Sequence, residues 1–179
     1  GLKAIIDCVP NHVARSYRSV VKPELSFGAR DDRSRFFAPN NNFFYLRGQP
    51  PLRLPTVSDG KAVSPTCEAV GGCDGLFDGE RDHGKVTGNN IVSWTPNLGD
   101  WYETVKLNYG FDFTQGRSGP KFHPTRAQTD SPIPDTWTKM DAVLAHWQAL
   151  GVDGFRCDMA HCAPLEVWRC SIVRAREGE

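Results

Sequence analysis

Two short apolar runs predict buried β-strands, and both end in charged residues. Residues 2–9 read Leu-Lys-Ala-Ile-Ile-Asp-Cys-Val and stop at Pro10, which cannot donate a hydrogen bond to a sheet. Residues 152–158 read Val-Asp-Gly-Phe-Arg-Cys-Asp. Because successive strand side chains point to opposite faces, Arg156 and Asp158 are expected to share one face. Charges at the end of an apolar strand are costly to bury, so this strand end is a candidate for chemistry.

A helix is predicted immediately before the second strand. Asp135 or Thr136 is placed to cap its first amides. Gly151 is placed to end it, because glycine accepts the positive φ of a helix C-terminus. The apolar face follows helical spacing over Met140, Val143, Leu144, Trp147 and Leu150.

A second helix is predicted after the strand that ends at Asp158. Pro164 suits its first turn, and its buried face is expected to contain Leu165, Trp168 and Ile172. Strands that alternate with amphipathic helices are typical of parallel β/α architecture. The chain is therefore assigned to the α/β class.

Residues 13–135 differ in composition and periodicity from the segments on either side. Proline, glycine, asparagine and aromatic residues are frequent, and no helical period persists beyond two turns. A connection of this length is too long for a simple loop, which indicates an inserted irregular domain. Short strands are predicted at residues 42–46 and 91–94, and most aromatic side chains are expected in the core of this insert.

Composition narrows the classes of partner. The 179 residues carry 21 basic and 21 acidic side chains, so no nucleic-acid partner is indicated and a neutral partner is favoured. No apolar run reaches about 18 residues and no signal-peptide pattern is found, so no membrane segment is predicted. Localisation stays open between the cytoplasm and an exported compartment. The chain starts inside a predicted strand and stops inside a predicted helix, which indicates a piece of a longer protein.

Six cysteines are too sparse for a disulfide scaffold. Cys67 and Cys73 flank a glycine-rich loop and form either a local disulfide or two free thiols. A zinc site would need further ligands at close spacing. Buried reduced thiols are expected at Cys8, Cys157, Cys162 and Cys170.

Two motifs at the strand ends resemble conserved blocks of the α-amylase superfamily, glycoside hydrolase family 13. Residues 7–12 (Asp-Cys-Val-Pro-Asn-His) resemble the first block, and residues 154–158 (Gly-Phe-Arg-Cys-Asp) resemble the block that carries the nucleophile. The resemblance implies a partial TIM (β/α)8 barrel with a large domain B inserted after strand 3. Residues 1–12 would form barrel strand 3 and the start of its loop, 13–135 domain B, and 136–179 helix 3, strand 4 and helix 4.

The resemblance implies a retaining glycosidase that acts on α-glucosidic linkages of starch-like or maltooligosaccharide substrates. Asp158 would be the nucleophile that forms a covalent glycosyl-aspartate. Arg156 would keep Asp158 ionised by charge and hydrogen bonding. Asp7 would hold Arg156 in place, and His12 would donate a hydrogen bond to a sugar hydroxyl.

Two further positions carry weaker implications. Asn11 matches a position where many family members bind a structural calcium through the side-chain oxygen, a ligand type that calcium accepts. Many members carry Lys-His three and four residues after the nucleophile, whereas this chain has His161 and Cys162. His161 either replaces that lysine at the substrate or faces the following helix, and the departure points to a divergent branch.

The family's general acid, a glutamate after the fifth barrel strand, and its last His-Asp block are expected beyond Glu179. The isolated chain is therefore predicted to be inactive, although its parent would be an enzyme. Three alternatives remain: an α-glucan transglycosylase of the same superfamily, a non-catalytic amylase-like binding domain, and an unrelated α/β enzyme. Without the resemblance, a buried structural ion pair between Asp7 and Arg156 is an equal alternative to a catalytic role.

Overall fold

The computed structural model describes residues 1–48, 50–58, 61–62, 75–118 and 133–177. The chain divides into two compact units. The first unit contains Gly1–Asn11, Pro39–Asn42 and Asn108–Glu179, and the second unit contains His12–Ala38 and Phe43–Leu107. The predicted insertion at 13–135 has different boundaries, because residues 39–42 and 108–135 group with the first unit.

The described regular elements are six short strands, two α-helices and four short 3₁₀ turns. The strands are β1 (Ile5–Cys8), β2 (His12–Ala14), β3 (Val57–Ser58), β4 (Lys61–Ala62), β5 (Thr104–Lys106) and β6 (Gly154–Cys157). The α-helices are α1 (Asp135–Ala149) and α2 (Leu165–Glu177). The 3₁₀ turns lie at Pro23–Leu25, Asp78–Glu80, Phe113–Ser118 and Ala160–Cys162. Among the described residues, no helix is both long enough and apolar enough to cross a membrane.

In the first unit, β1 and β6 pair in parallel, the arrangement expected from the alternation of strands and helices. One further backbone bond at each end extends the pairing, from Asp153 N–H to the Ala4 carbonyl at 2.9 Å and from Asp158 N–H to the Cys8 carbonyl at 2.9 Å. The prediction of buried strands was wrong, since β1 alternates between exposed and half-buried residues and Ile5 is exposed. Within the described residues this sheet has only two strands, so its faces are incompletely covered.

Helix α1 has the predicted length but not the predicted contacts. Gly151 follows it with φ of +90°, as expected for a helix terminated by glycine. Within the predicted apolar face, Met140 and Leu144 are buried. The prediction was wrong for the other three positions, which are exposed: Val143, Trp147 and Leu150.

The start of α1 is held by a residue distant in sequence rather than by a local cap. Pro134 occupies the N-cap position without a side-chain cap, and Asp135 and Thr136 lie inside the helix, so the predicted cap was wrong. The fully buried Asn42 donates to Asp135 Oδ2 and to Thr136 Oγ1, each at 3.0 Å. Lys139 Nζ donates to Asn42 Oδ1 at 2.8 Å. Sequence spacing could not reveal this partner, because it lies outside the helix and its flanks.

Helix α2 begins one residue after Pro164, in agreement with the predicted start. Its predicted buried face was wrong, since Leu165 and Ile172 are exposed. Val167 is the buried position instead. The two helices contact each other, and Gln148 Nε2 donates to the Ala175 carbonyl at 3.1 Å. The start of α2 was predictable from the sequence, but contact with α1 determines which face of α2 is buried.

The second unit is built around β2 and β5, which pair antiparallel with His12 opposite Lys106. Outside its named strands, single bridges join Phe43 to Leu107, Tyr45 to Lys85 and Arg53 to Leu76. The predicted strand at 42–46 is reduced to two such bridges, and the predicted strand at 91–94 is irregular. The fully buried apolar positions of this core are Phe44, Tyr45, Leu52, Val86 and Val105.

A buried ionic cluster lies within the second unit. Glu80 Oε2 accepts a hydrogen bond from Arg15 Nη1 at 2.5 Å, and Glu80 Oε1 accepts one from Lys85 Nζ at 3.0 Å. Arg15 Nε also donates to the Tyr102 carbonyl at 2.7 Å. A buried charge is tolerated only when it is paired and hydrogen-bonded. These contacts meet that requirement and join three distant segments of the irregular fold.

Candidate functional site

Three charged side chains meet at the carboxyl ends of β1 and β6. The parallel register sets Asp7 directly opposite Arg156. Arg156 Nη1 donates to Asp7 Oδ2 at 3.4 Å, and Arg156 Nη2 lies 3.1 Å from Asp158 Oδ1. The predicted sharing of one face by Arg156 and Asp158 is consistent with this contact. One guanidinium therefore bridges two carboxylates, and all three side chains are open to solvent.

Asp158 sits where the chain leaves the sheet. Its N–H is bonded to the Cys8 carbonyl, and the next residue, Met159, has φ of +52° at the start of the turn Ala160–Cys162. Trp168 Nε1 donates to the Ala160 carbonyl at 2.8 Å, which ties this turn to α2. The backbone around Asp158 is thus held from both sides while its carboxylate points outward.

His161 lies in the same turn and is exposed. It follows Asp158 by three residues, at the position where the resembling family has a lysine. This exposure disfavours one of the two predicted alternatives for His161, that it faces the following helix.

Two aromatic side chains anchor the loop after β1: Tyr109, which is expected in the core of the insert, and Trp137, for which no role is predicted. Tyr109 donates its hydroxyl hydrogen to the Pro10 carbonyl at 2.7 Å, and Trp137 Nε1 donates to the Tyr109 carbonyl at 2.9 Å. Burial raises the pKa of Tyr109, so its hydroxyl remains a donor. These bonds position the residues that follow β1, and no sequence signal links the partners because they lie far apart in the chain.

Asn11 is almost fully buried. Calcium takes about six to eight oxygen ligands, and Asn11 supplies one amide oxygen. Among the described residues, no group of three or more His, Cys, Asp or Glu side chains is placed to hold a metal. Asn11 therefore has no such carboxylate cluster around it in the described part of the chain.

His12 belongs to the second unit, where it opens β2. It is half-buried and packs edge-to-face on Trp101, with ring centroids 5.5 Å apart and an interplanar angle of 61°. Trp101 remains partly exposed. Sequence reasoning did not connect these two residues, because the antiparallel pairing of β2 with β5 brings together segments that are far apart in the chain.

The described cysteines are free thiols. Cys8, Cys157 and Cys162 are half-buried, and Cys170 is exposed, so the expectation of a buried thiol was wrong for Cys170. The proposed Cys67–Cys73 disulfide lies outside the described residues. The pair formed by Cys8 and Cys157 is in register across β1 and β6.

No protein-family model, curated protein or solved structure matches the chain. The function proposed below therefore rests on the residues at the strand ends and on the two sequence motifs that contain them.

Proposed function

We propose that the chain is part of a retaining glycoside hydrolase of the α-amylase superfamily, acting on α-glucosidic linkages of starch-like substrates. The observation that carries the proposal is the bridge from Arg156 to Asp158 and Asp7, at 3.1 and 3.4 Å, at the carboxyl edge of a parallel strand pair. In β/α barrels the active site lies at this edge of the strands. The two motifs that contain these residues supply the link to α-glucans.

Asp158 attacks the anomeric carbon of the bound sugar, and the bond from that carbon to the glycosidic oxygen breaks. The intermediate is a glycosyl ester of Asp158, which water then hydrolyses at the anomeric carbon. A nucleophile of this kind must be ionised before attack. The Arg156 guanidinium lies 3.1 Å from a carboxylate oxygen of Asp158, a charge-assisted contact that orients the carboxylate.

Asp7 acts as a positioning residue, because it contacts the guanidinium and not the reacting carboxylate. His12 and His161 are assigned to sugar hydroxyls, and Asn11 to a structural calcium, on the strength of the motifs alone. Proton transfer to the leaving group is assigned to a glutamate outside these 179 residues. An uncharged polysaccharide suits a chain whose formal net charge is zero.

The test is covalent trapping in the full-length parent enzyme. A fluorinated α-glucosyl fluoride that forms a slowly hydrolysed glycosyl-enzyme is expected to add one sugar to the peptide that contains Asp158. Peptide mass spectrometry locates the label. Attachment to a different carboxylate would overturn the assignment of Asp158, and rapid turnover of maltooligosaccharides by the isolated 179-residue chain would overturn the assignment of the acid.

The matched control for this experiment is Asp141→Asn. Asp141 is also paired with an exposed arginine, Arg174, at 3.0 Å, but on α1. The proposal expects D141N to be labelled as the unsubstituted enzyme is, and D158N to lose the label. Product analysis with maltooligosaccharides in the same samples separates hydrolysis, which releases reducing sugar, from transfer, which lengthens the acceptor.

A further inference from the structure

Cys8 and Cys157 form a thiol pair across the parallel strands β1 and β6. They are direct register partners. Because strand side chains alternate, this pair lies on the sheet face opposite the pair formed by Asp7 and Arg156. Both thiols are free and half-buried. The proposed glycosidase chemistry gives them no role.

The geometry of this pair suits a disulfide. Neighbouring strands are about 4.7–4.9 Å apart, and disulfides join Cα atoms about 4.4–6.8 Å apart. Register partners on neighbouring strands fall within this range, so bond formation requires rotation of side chains rather than movement of strands. We propose that Cys8 and Cys157 are a redox modification site, at which a low-molecular-weight disulfide converts the two thiols into a reversible cross-strand disulfide.

Burial raises the pKa of Cys8 to about 11, with a smaller contribution from the neighbouring Cys157. Burial also raises the pKa of Cys157, and the neighbouring Cys8 opposes that rise. We therefore assign the first attack to the thiolate of Cys157.

The reaction balances as two successive exchanges. The Cys157 thiolate attacks one sulfur of oxidised glutathione, forms a mixed disulfide and releases one glutathione thiolate. Cys8 then loses its proton and attacks the Cys157 sulfur, which releases the second glutathione. The protein gives up two electrons and two protons, and the glutathione disulfide is reduced to two thiols. Because both thiols hold their protons more tightly than usual, the rate is expected to rise as pH increases above neutrality.

The cross-link is expected to restrict the backbone around Asp158. The N–H of Asp158 donates to the carbonyl of Cys8, so a disulfide at Cys8 joins the two strands beside that hydrogen bond. Separation of β1 from β6 becomes harder when they are covalently joined. Amide exchange in residues 152–158 is therefore expected to slow on oxidation.

The experiment treats the folded full-length protein with oxidised glutathione, quenches with acid, alkylates the remaining thiols and maps the peptides by mass spectrometry. The expected result is loss of two alkylatable thiols, a mass decrease of about 2 Da and one cross-linked peptide pair containing Cys8 and Cys157. Dithiothreitol restores both thiols. On a non-reducing gel the oxidised chain migrates faster, because the cross-link closes most of these residues into a loop.

Two variants serve as controls: the first removes two of the four other cysteines, and the second removes one partner of the pair. Cys162→Ser/Cys170→Ser retains the thiols of interest and is expected to form the same cross-link. Cys8→Ser, or Cys8→Ala if the serine variant does not fold, is expected to stop at a stable glutathione adduct on Cys157. Persistence of both thiols in excess oxidant would overturn the proposal. So would a lasting glutathione adduct on the unsubstituted protein, or a cross-link to another cysteine. None of these readouts depends on glycosidase activity.

Discussion

The Arg15 cluster and the Arg156 cluster join the same chemical groups in opposite surroundings. In the second unit, the side chains of Arg15 and Glu80 are 1% and 0% exposed, and Glu80 also pairs with Lys85. In the first unit, the side chains of Arg156 and Asp158 are 61% and 42% exposed. The buried cluster has replaced its water by protein donors and acceptors. The exposed cluster keeps water around its carboxylates.

This difference separates a structural role from the chemical role that we propose for the Arg156 cluster. A buried ion pair loses hydration and is tolerated only while each partner remains, so it commits its residues to the fold. An exposed ion pair contributes little to stability and leaves its oxygen atoms accessible. Asp158 can therefore be approached by a substrate, whereas Glu80 cannot. Substitutions that exchange charge for a neutral group of the same shape should separate the two roles.

The largest effect is expected for Asp158→Asn in the full-length parent enzyme. Removal of the nucleophilic carboxylate should lower kcat/KM for maltooligosaccharides by about 10⁴-fold, equivalent to about 5.5 kcal/mol of transition-state stabilisation. The free energy of unfolding should change by less than about 1 kcal/mol, since the pair is exposed. Steady-state kinetics and urea unfolding measure the two quantities. Full activity in D158N would contradict the proposed chemical role of the Arg156 cluster.

The next effect is expected for Glu80→Gln, on stability rather than on chemistry. Loss of the carboxylate leaves the charges of Arg15 and Lys85 uncompensated, and a broken buried ion pair typically costs about 3–5 kcal/mol. Urea unfolding followed by fluorescence should therefore show a lower midpoint. A change below about 1 kcal/mol would mean that this cluster behaves like an exposed pair.

A smaller, pH-dependent effect is expected at His83, whose ring lies 5.8 Å from that of Tyr45. Burial, followed by the charges of Arg33 and Lys85, lowers the pKa of His83 from its ordinary 6.5. Between the folded and unfolded pKa values, the unfolded chain binds more protons. Stability should therefore fall as the pH drops below about 6.5. Unfolding measured from pH 5 to 8 should depend less on pH in His83→Gln; an unchanged slope would contradict the shift.

The smallest effect is expected for Asp141→Asn. Arg174 donates to both oxygens of Asp141, at 3.2 and 3.0 Å, but both side chains are open to solvent. Exposed pairs of this kind contribute about 0.2–1 kcal/mol, and salt should reduce even that. Unfolding of D141N at low and high ionic strength tests this. A loss as large as that expected for E80Q would show that exposure does not separate the clusters.

The residues of the two motifs and their flanks show which features can be predicted from near neighbours in the sequence. Alternation along a strand predicted that Arg156 and Asp158 share a face, and Gly151 predicted a helix end with positive φ. Both depend on neighbours within a few residues, which sequence spacing reports directly. The exposure of Ile5 and Leu165 was not predictable in this way, because burial depends on which other elements cover a surface.

Sequence alone determined the order β1, α1, β6 and α2 in the first unit, the positions of the charged strand ends and the resemblance that makes Asp158 a candidate nucleophile. Only the tertiary structure decided that His12 packs on Trp101 and that Asn42 holds the start of α1. The physical reason is that periodicity and turn chemistry act between near neighbours. Register, burial and hydrogen bonding join residues that meet only after the chain has folded, as the paired thiols of Cys8 and Cys157 do.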